Sequence, residues 1–399
     1  MALIRLDEPT VRPKTPPKGF ALFALGFRPF YLLAALFATL AVPLWLAQFH
    51  GLLPAPPWMP GLFWHAHEMV FGFAVAVIVG FLLTAAQNWT SLPTAKGAPL
   101  AALAAVWLLG RIGIYAAPPL LAAVLDLAFL PLAAVSLGRV LWRAKSQRNY
   151  FTVALLLALT VANGLFHASV HGLIAADPLT VMHAALALVM MLVTIIAGRI
   201  VPSFTANALK GVRQFQNDQI NACAIGFTGC ALALSVGGAN AALTAIVALL
   251  AAALQAIRTW GWNPWATRKT PLLWVLHLGH LWLPVGLTLL AVAALGWIPQ
   301  SPAWHAFGFG AMSALILGMI TRTALGHTGR LLLAGRSETA AYALLHGGAL
   351  IRVIGPLVLP GAMSAVLGLA MLCWSGAFAL YLIRYAPILI NPRVDGRPG

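Results

Sequence analysis

Twelve stretches of nearly unbroken apolar residues run through this chain, separated by short polar breaks. They fall at roughly 28–48, 62–87, 98–116, 119–142, 150–173 and 178–200, then 218–237, 240–260, 271–295, 303–323, 338–358 and 361–384. Each is about 20 residues long, enough for a helix to cross the hydrocarbon of a bilayer. The runs are continuous rather than alternating, which predicts helices and not barrel strands. The pattern therefore predicts an all-α polytopic membrane protein with twelve transmembrane helices, a single membrane domain over 28–386 and short tails at 1–27 and 387–399. Residues 1–19 are polar, with prolines at 9, 13, 16 and 17, and lack the apolar core of a cleaved signal peptide. They read as a flexible cytoplasmic tail.

Composition agrees with the pattern. Of the 399 residues, 61% are hydrophobic and 8% charged, against about a quarter charged in a soluble domain. The net charge of +16 raises nucleic acid as a partner, but the basic residues are scattered between apolar runs and form no stripe, so nucleic acid is excluded. They act as topology signals. The N-terminal tail, the even-to-odd loops and the C-terminus together hold 22 of the 24 basic residues, and the odd-to-even loops hold none. The positive-inside rule then puts both termini in the cytoplasm. Trp58, Trp64, Trp89, Trp260, Trp262, Trp297 and Trp304 lie at span ends, as interfacial aromatics do. The three cysteines sit inside apolar runs, which disfavours disulfides, and no Cys-x-x-Cys-His occurs to attach a c-type haem.

The two remaining basic residues are Arg111 and Arg352, inside spans 3 and 11. Arg111 follows His65 by 46 residues and Arg352 follows His305 by 47. His-Ala pairs occur at His65, His183 and His305, separated by 118 and 122 residues, near the starts of spans 2, 6 and 10. This spacing predicts three four-helix repeats, at about 28–145, 146–265 and 266–386. The middle unit departs from it, with Gly229 near the arginine position.

Histidine in a membrane helix is costly and usually functional. Seven of the eleven lie on the non-cytoplasmic side: His50, His65, His67, His167, His171, His183 and His305. His65 and His67 diverge by about 200° around a helix, so they suit two centres on opposite faces rather than one ion. Glu68, three residues after His65, is expected on the face of His65, as a ligand, a proton carrier or the partner that fixes its tautomer. His167 and His171 are spaced i, i+4 and could share one metal, or meet water at a fraying helix end. His183 and His305 draw their weight as ligands from the repeat. His277 and His280, spaced i, i+3 in the cytoplasmic half, are a possible second metal or quinone site, or bond between helices. Arg111 and Asp126 flank the Pro118-Pro119 turn symmetrically, which favours a buried ion pair. Arg352 has no mirror acid, so a haem propionate would satisfy it. Apart from Glu68 and Asp126 no acid lies well inside a span, which argues against a proton pump.

Several motifs carry a resemblance. Phe27-Arg28-Pro29-Phe30, His65-Ala66-His67-Glu68-Met69, Phe71-Gly72-Phe73, Gly80-Phe81-Leu82-Leu83-Thr84-Ala85 and Asn88-Trp89-Thr90 resemble the NnrS family. So do the runs from Arg199 to Thr205 and from Arg322 to Arg330. The resemblance implies a bacterial inner-membrane protein carrying copper and non-covalent, b-type haem, linked to nitric oxide and nitrosative stress. The architecture is also similar to the catalytic subunits of heme-copper oxidases and of the nitric oxide reductases of denitrification. Those have twelve helices in three arcs of four, with histidine ligands on helices 2, 6 and 10. Their His-x-His lies on helix 10 rather than helix 2, and their helix 7 supplies copper ligands where this chain has no histidine pair. His167 and His171 are the substitutes to consider.

The expected function is a haem- and copper-binding redox protein that senses, binds or reduces nitric oxide. His65, His67, His183 and His305 would ligate iron or copper, Arg111 and Arg352 would serve the cofactor, and Glu68 would deliver protons, with quinol as electron donor. The rivals are a haem-free transporter or metal-delivery protein, and a quinol-oxidising membrane cytochrome without gas chemistry.

Overall fold

A computed structural model of the chain describes residues 19–397, so the expected flexible tail before residue 19 lies outside the described residues. All-α architecture follows, with twelve helices long and apolar enough to cross a membrane. They are α1 (Phe27–Phe49), α2 (Gly61–Thr90), α3 (Ala98–Ala116), α4 (Pro119–Arg143), α5 (Gln147–Val170), α6 (Pro178–Ala208), α7 (Asp218–Val236), α8 (Ala241–Gly261), α9 (Pro271–Ala294), α10 (Ser301–His327), α11 (Arg336–Val358) and α12 (Pro360–Ile390). Local chemistry sets the starts. Asp177, Asn217 and Asn240 accept the N–H groups of Thr180, Ile220 and Leu243 to cap α6, α7 and α8. Gly97, at φ +62°, makes the left-handed turn into α3.

Two helices depart from the α pattern in the same way. A π-helical turn interrupts α2 at Glu68–Ala74 and α10 at Ala306–Met312, in each case just after a histidine. π-turns widen the helix and free backbone groups, and they concentrate at functional sites. Here the loosened carbonyls find side-chain donors: Trp107 Nε1 donates to Gly72 O at 3.1 Å, and Ser313 Oγ to Gly308 O at 2.7 Å. Helix α6, which the spacing pairs with these two, has no such turn. α2 and α10 are also the innermost spans, with 83% of the residues in their most apolar stretch buried within the protein, against 22% for α7 at the periphery.

α1 packs on both α2 and α12 and so joins the two ends of the chain. Arg28, fully buried, donates through Nη1 to Leu389 O and Asn391 O, both at 2.8 Å. Phe27 N–H donates to Thr84 Oγ1 at 2.9 Å. Gly80 permits the close approach of α1, since a Cβ there would lie 2.8 Å from Phe30 Cβ. The last helix runs to Ile390, past the boundary expected at 386, and the segment after it docks on the α10–α11 turn. Val394 N–H donates to Thr328 O at 3.1 Å and Arg393 Nη1 to His327 O at 2.8 Å, while Arg393 pairs with Asp395. Most of the motif residues near Arg28, Thr84 and His327 thus hold the basic end of the bundle together. Only the His-Ala-His-Glu run lies at the other end, where the histidines gather.

Candidate metal centre

His67 is turned from α2 toward α3, α4 and α5, where it meets a buried polar cluster. Its Nδ1 lies 2.9 Å from Glu68 Oε1, and its Nε2 lies 3.1 Å from Asp126 Oδ2 and 2.9 Å from Asn163 Oδ1. His167, on α5, brings Nε2 to 2.9 Å from the same Asp126 oxygen. Asn163 Nδ2 also donates to Asp126 Oδ2, at 2.8 Å. Arg111 closes the cluster: Nη1 donates to Glu68 Oε1 at 2.6 Å and Nη2 pairs with Asp126 Oδ1. All six side chains are at most 8% exposed.

The two oxygens of Asp126 therefore divide their work. Oδ1 neutralises Arg111, and Oδ2 faces the two histidines. Close packing of α3 on α4 makes this possible, because a Cβ at Gly110 would lie 3.1 Å from Asp126 Cα. One ligand atom each from His67, Asp126 and His167 lies within 4.8 Å of the others, so the trio could hold a metal ion. With Glu68 and Asp126 ionised, Arg111 protonated and both imidazoles in the neutral form that ligates a metal, the cluster would carry one net negative charge. Glu68, bonded at Nδ1, would orient His67 from behind the ligand shell, the support that metal-bound histidines usually have.

Glu68 is not where a regular helix puts it. The expected face was that of His65, but Glu68 opens the π-turn, and the guanidinium of Arg111 draws its carboxylate to His67. Gly72 leaves room for this, since a Cβ there would lie 2.7 Å from Glu68 Oε2. Arg111, expected to serve a cofactor or to pair with Asp126, is committed to two carboxylates.

His65 points the opposite way, toward α1 and α10. Its ring stacks on Trp45 at 4.3 Å, and the ring of His305 lies nearly parallel to it, at 6.3 Å between centroids and 11° between planes. Two imidazoles bound across one ion, with metal–nitrogen bonds of about 2 Å, have ring centres roughly 6 Å apart, so this pair suits a shared ion. Nδ1 of His305 donates to Ser301 O at 2.8 Å, which leaves its Nε2 free to ligate. Nδ1 of His65 is buried without a partner among the described residues. Arg352 reaches Ser301 Oγ at 3.4 Å, at the side of the pair. His183 comes to the same end but lies flat on the indole of Trp304, 4.2 Å away at 5°.

The remaining candidates separate. His171 lies one turn beyond His167, the two rings 6.3 Å apart under Trp58. His277 and His280 do not converge: His277 Nε2 meets Thr205 Oγ1 of α6 at 2.9 Å, and His280 Nδ1 meets Thr259 Oγ1 of α8 at 2.7 Å. Their spacing turns them to different neighbours. Asn163 escaped the sequence reading, and Trp58 was read only as an interfacial aromatic. A lone amide four residues before His167, on the same helix face, was the available signal for Asn163.

Imidazole and carboxylate donors suit copper or iron, and Nδ1 of His65 and of His167, buried with no partner among the described residues, fit groups that expect a ligand. No curated protein matches this sequence. The profile of the family described as NnrS protein matches residues 21–393, from the turn before α1 through the docked C-terminal segment. With nearly the whole chain covered, this protein belongs to the NnrS family.

Proposed function

We propose that this protein holds haem and copper in a bacterial inner membrane and reduces nitric oxide as part of the response to nitrosative stress. The observation that carries the reading is the divergence of His65 and His67, which gives α2 a separate histidine set on each face. Copper would be held by His67, Asp126 and His167. A monovalent copper ion would cancel the cluster's single negative charge, where an unscreened charge is most costly. Haem iron would be held between His65 and His305, with Arg352 and Ser301 beside His305 to receive a propionate. When bound, both metals supply one-electron redox chemistry, and the three-ligand copper centre would keep a position open for the gas.

The balance of the reaction is two nitric oxide molecules, two protons and two electrons to one nitrous oxide and one water, with quinol as the electron donor. Glu68 is the proton carrier in this reading. It is bonded to His67 and Arg111 through Oε1, and its Oε2 is buried with no partner among the described residues. The basic end, to which the sequence pattern assigns 22 of the 24 lysines and arginines, would face the cytoplasm, and both centres would then lie near the outer surface. A π-turn close to the outer histidine of both α2 and α10, offset by two residues in the His65–His305 register, supports an ancestral repeat for these helices, which would extend to three four-helix units. Purified protein tests the reading through metal content, reduced-minus-oxidised spectra and nitric oxide consumption with a quinol donor. Haem and copper with turnover are expected, and folded protein free of both after loading would overturn it.

A further inference from the structure

The copper centre proposed above uses one nitrogen of His167. The other, Nδ1, is buried and has no hydrogen-bond partner among the described residues, and the same holds for Nε2 of His171. His167 is 3% exposed, whereas His171 is half-buried at the end of α5, between the loop surface and the polar cluster. The helix holds the pair in register, with the N–H of His171 bonded to His167 O at 3.0 Å and Gly172 turning the chain away at φ +69°. The two rings are 6.3 Å apart at 21°, the separation found for the rings of His65 and His305. Trp58, from the α1–α2 loop, lies over both, 5.9 Å from His167 and 5.1 Å from His171.

Hydrogen bonding decides which nitrogen is available. Asp126 Oδ2 can only accept, so Nε2 of His167 carries the proton and Nδ1 presents its lone pair. A carboxylate behind a histidine whose far nitrogen is bare is the usual support of a metal ligand. We propose that His167 Nδ1 and His171 Nε2 form a second, outer copper(I) site, covered by Trp58, through which the buried centre is loaded. Two imidazoles suit copper(I), which accepts low coordination and soft or borderline donors, and an indole face attracts a cation. The ion then moves inward to His67 and Asp126, as the imidazole proton of His167 exchanges from Nε2 to Nδ1. Because His167 serves one ion at a time, the outer site is transient in the loaded protein.

This rests on the proposed buried copper centre, and the experiment separates the two. Copper-free full-length protein in detergent is mixed with copper(I) alone under reducing conditions. Uptake is followed by tryptophan fluorescence and by the copper retained after rapid desalting. His171→Ala is expected to slow uptake on the order of tenfold while the final copper content stays that of the wild type, and His171→Met, which restores a soft ligand, to recover the rate. His67→Ala removes the buried centre and is expected to leave a weakly held ion that the further change His171→Ala abolishes. Equal uptake rates in wild type and His171→Ala, both filling completely, would overturn the loading site and leave the buried centre standing. A wild type that retains no copper would overturn both.

Discussion

Replacing Arg111 with leucine probes the charge arithmetic of the buried cluster. The guanidinium is 8% exposed, donates to Glu68 Oε1 at 2.6 Å and pairs with Asp126 Oδ1. Without it, two carboxylates share a packed interior with no cation beside them among the described residues, and the net charge of the cluster goes from minus one to minus two. Removing one partner of a buried pair costs about 3–5 kcal/mol. The double replacement Arg111→Leu/Asp126→Leu returns the charge to minus one and is expected to regain at least about 2 kcal/mol of that loss. The assay is unfolding of copper-free protein in detergent, followed by circular dichroism. Copper(I) should then stabilise Arg111→Leu more than wild type, because the ion supplies the charge the arginine did. A single-variant loss below about 1 kcal/mol, or a double variant no more stable than the single one, would refute the reasoning.

Other positions give independent tests. Thr84→Val removes the acceptor of the buried Phe27 N–H and should cost about 1–3 kcal/mol in the same unfolding assay. Gly72→Ala puts a Cβ 2.5 Å from the Phe37 ring and 2.7 Å from Glu68 Oε2; about 1–3 kcal/mol of overpacking and weaker copper retention are expected, read by unfolding and metal analysis. The C-terminal dock should be acid-sensitive. Hydrogen bonds from Arg393 lower the Asp395 carboxyl to about 2, below its unfolded value, so the contribution is complete above about pH 4 and lost as pH falls toward 2. Hydrogen exchange of residues 391–396 checks this, and Asp395→Asn should flatten the dependence.

The fold was largely legible because a membrane helix announces itself by length and apolarity. The expected spans 98–116, 119–142 and 218–237 correspond to α3, α4 and α7 within a residue at either end. The divergence of His65 and His67 was also legible, because both precede the π-turn and regular helical angles still apply. Glu68 was misread because it opens that turn, and hydrophobic periodicity does not signal a change of pitch. The Arg111–Asp126 pair was visible from its symmetry about Pro118-Pro119, since a hairpin brings such positions to one depth. Its extension to Glu68, Asn163 and His167 depends on how α2 and α5 flank that hairpin, which no local pattern encodes. His183 and Trp304 make the same point: equal spacing brought the histidine to the correct end, and packing laid it on an indole.

The central claim is that α2 serves two different centres with two histidines two residues apart. Haem and copper content measured side by side in purified His65→Ala and His67→Ala tests it most directly. The account predicts that His65→Ala loses haem and keeps copper, and that His67→Ala loses copper and keeps haem. Loss of the same cofactor from both variants, with the other unaffected, would contradict it.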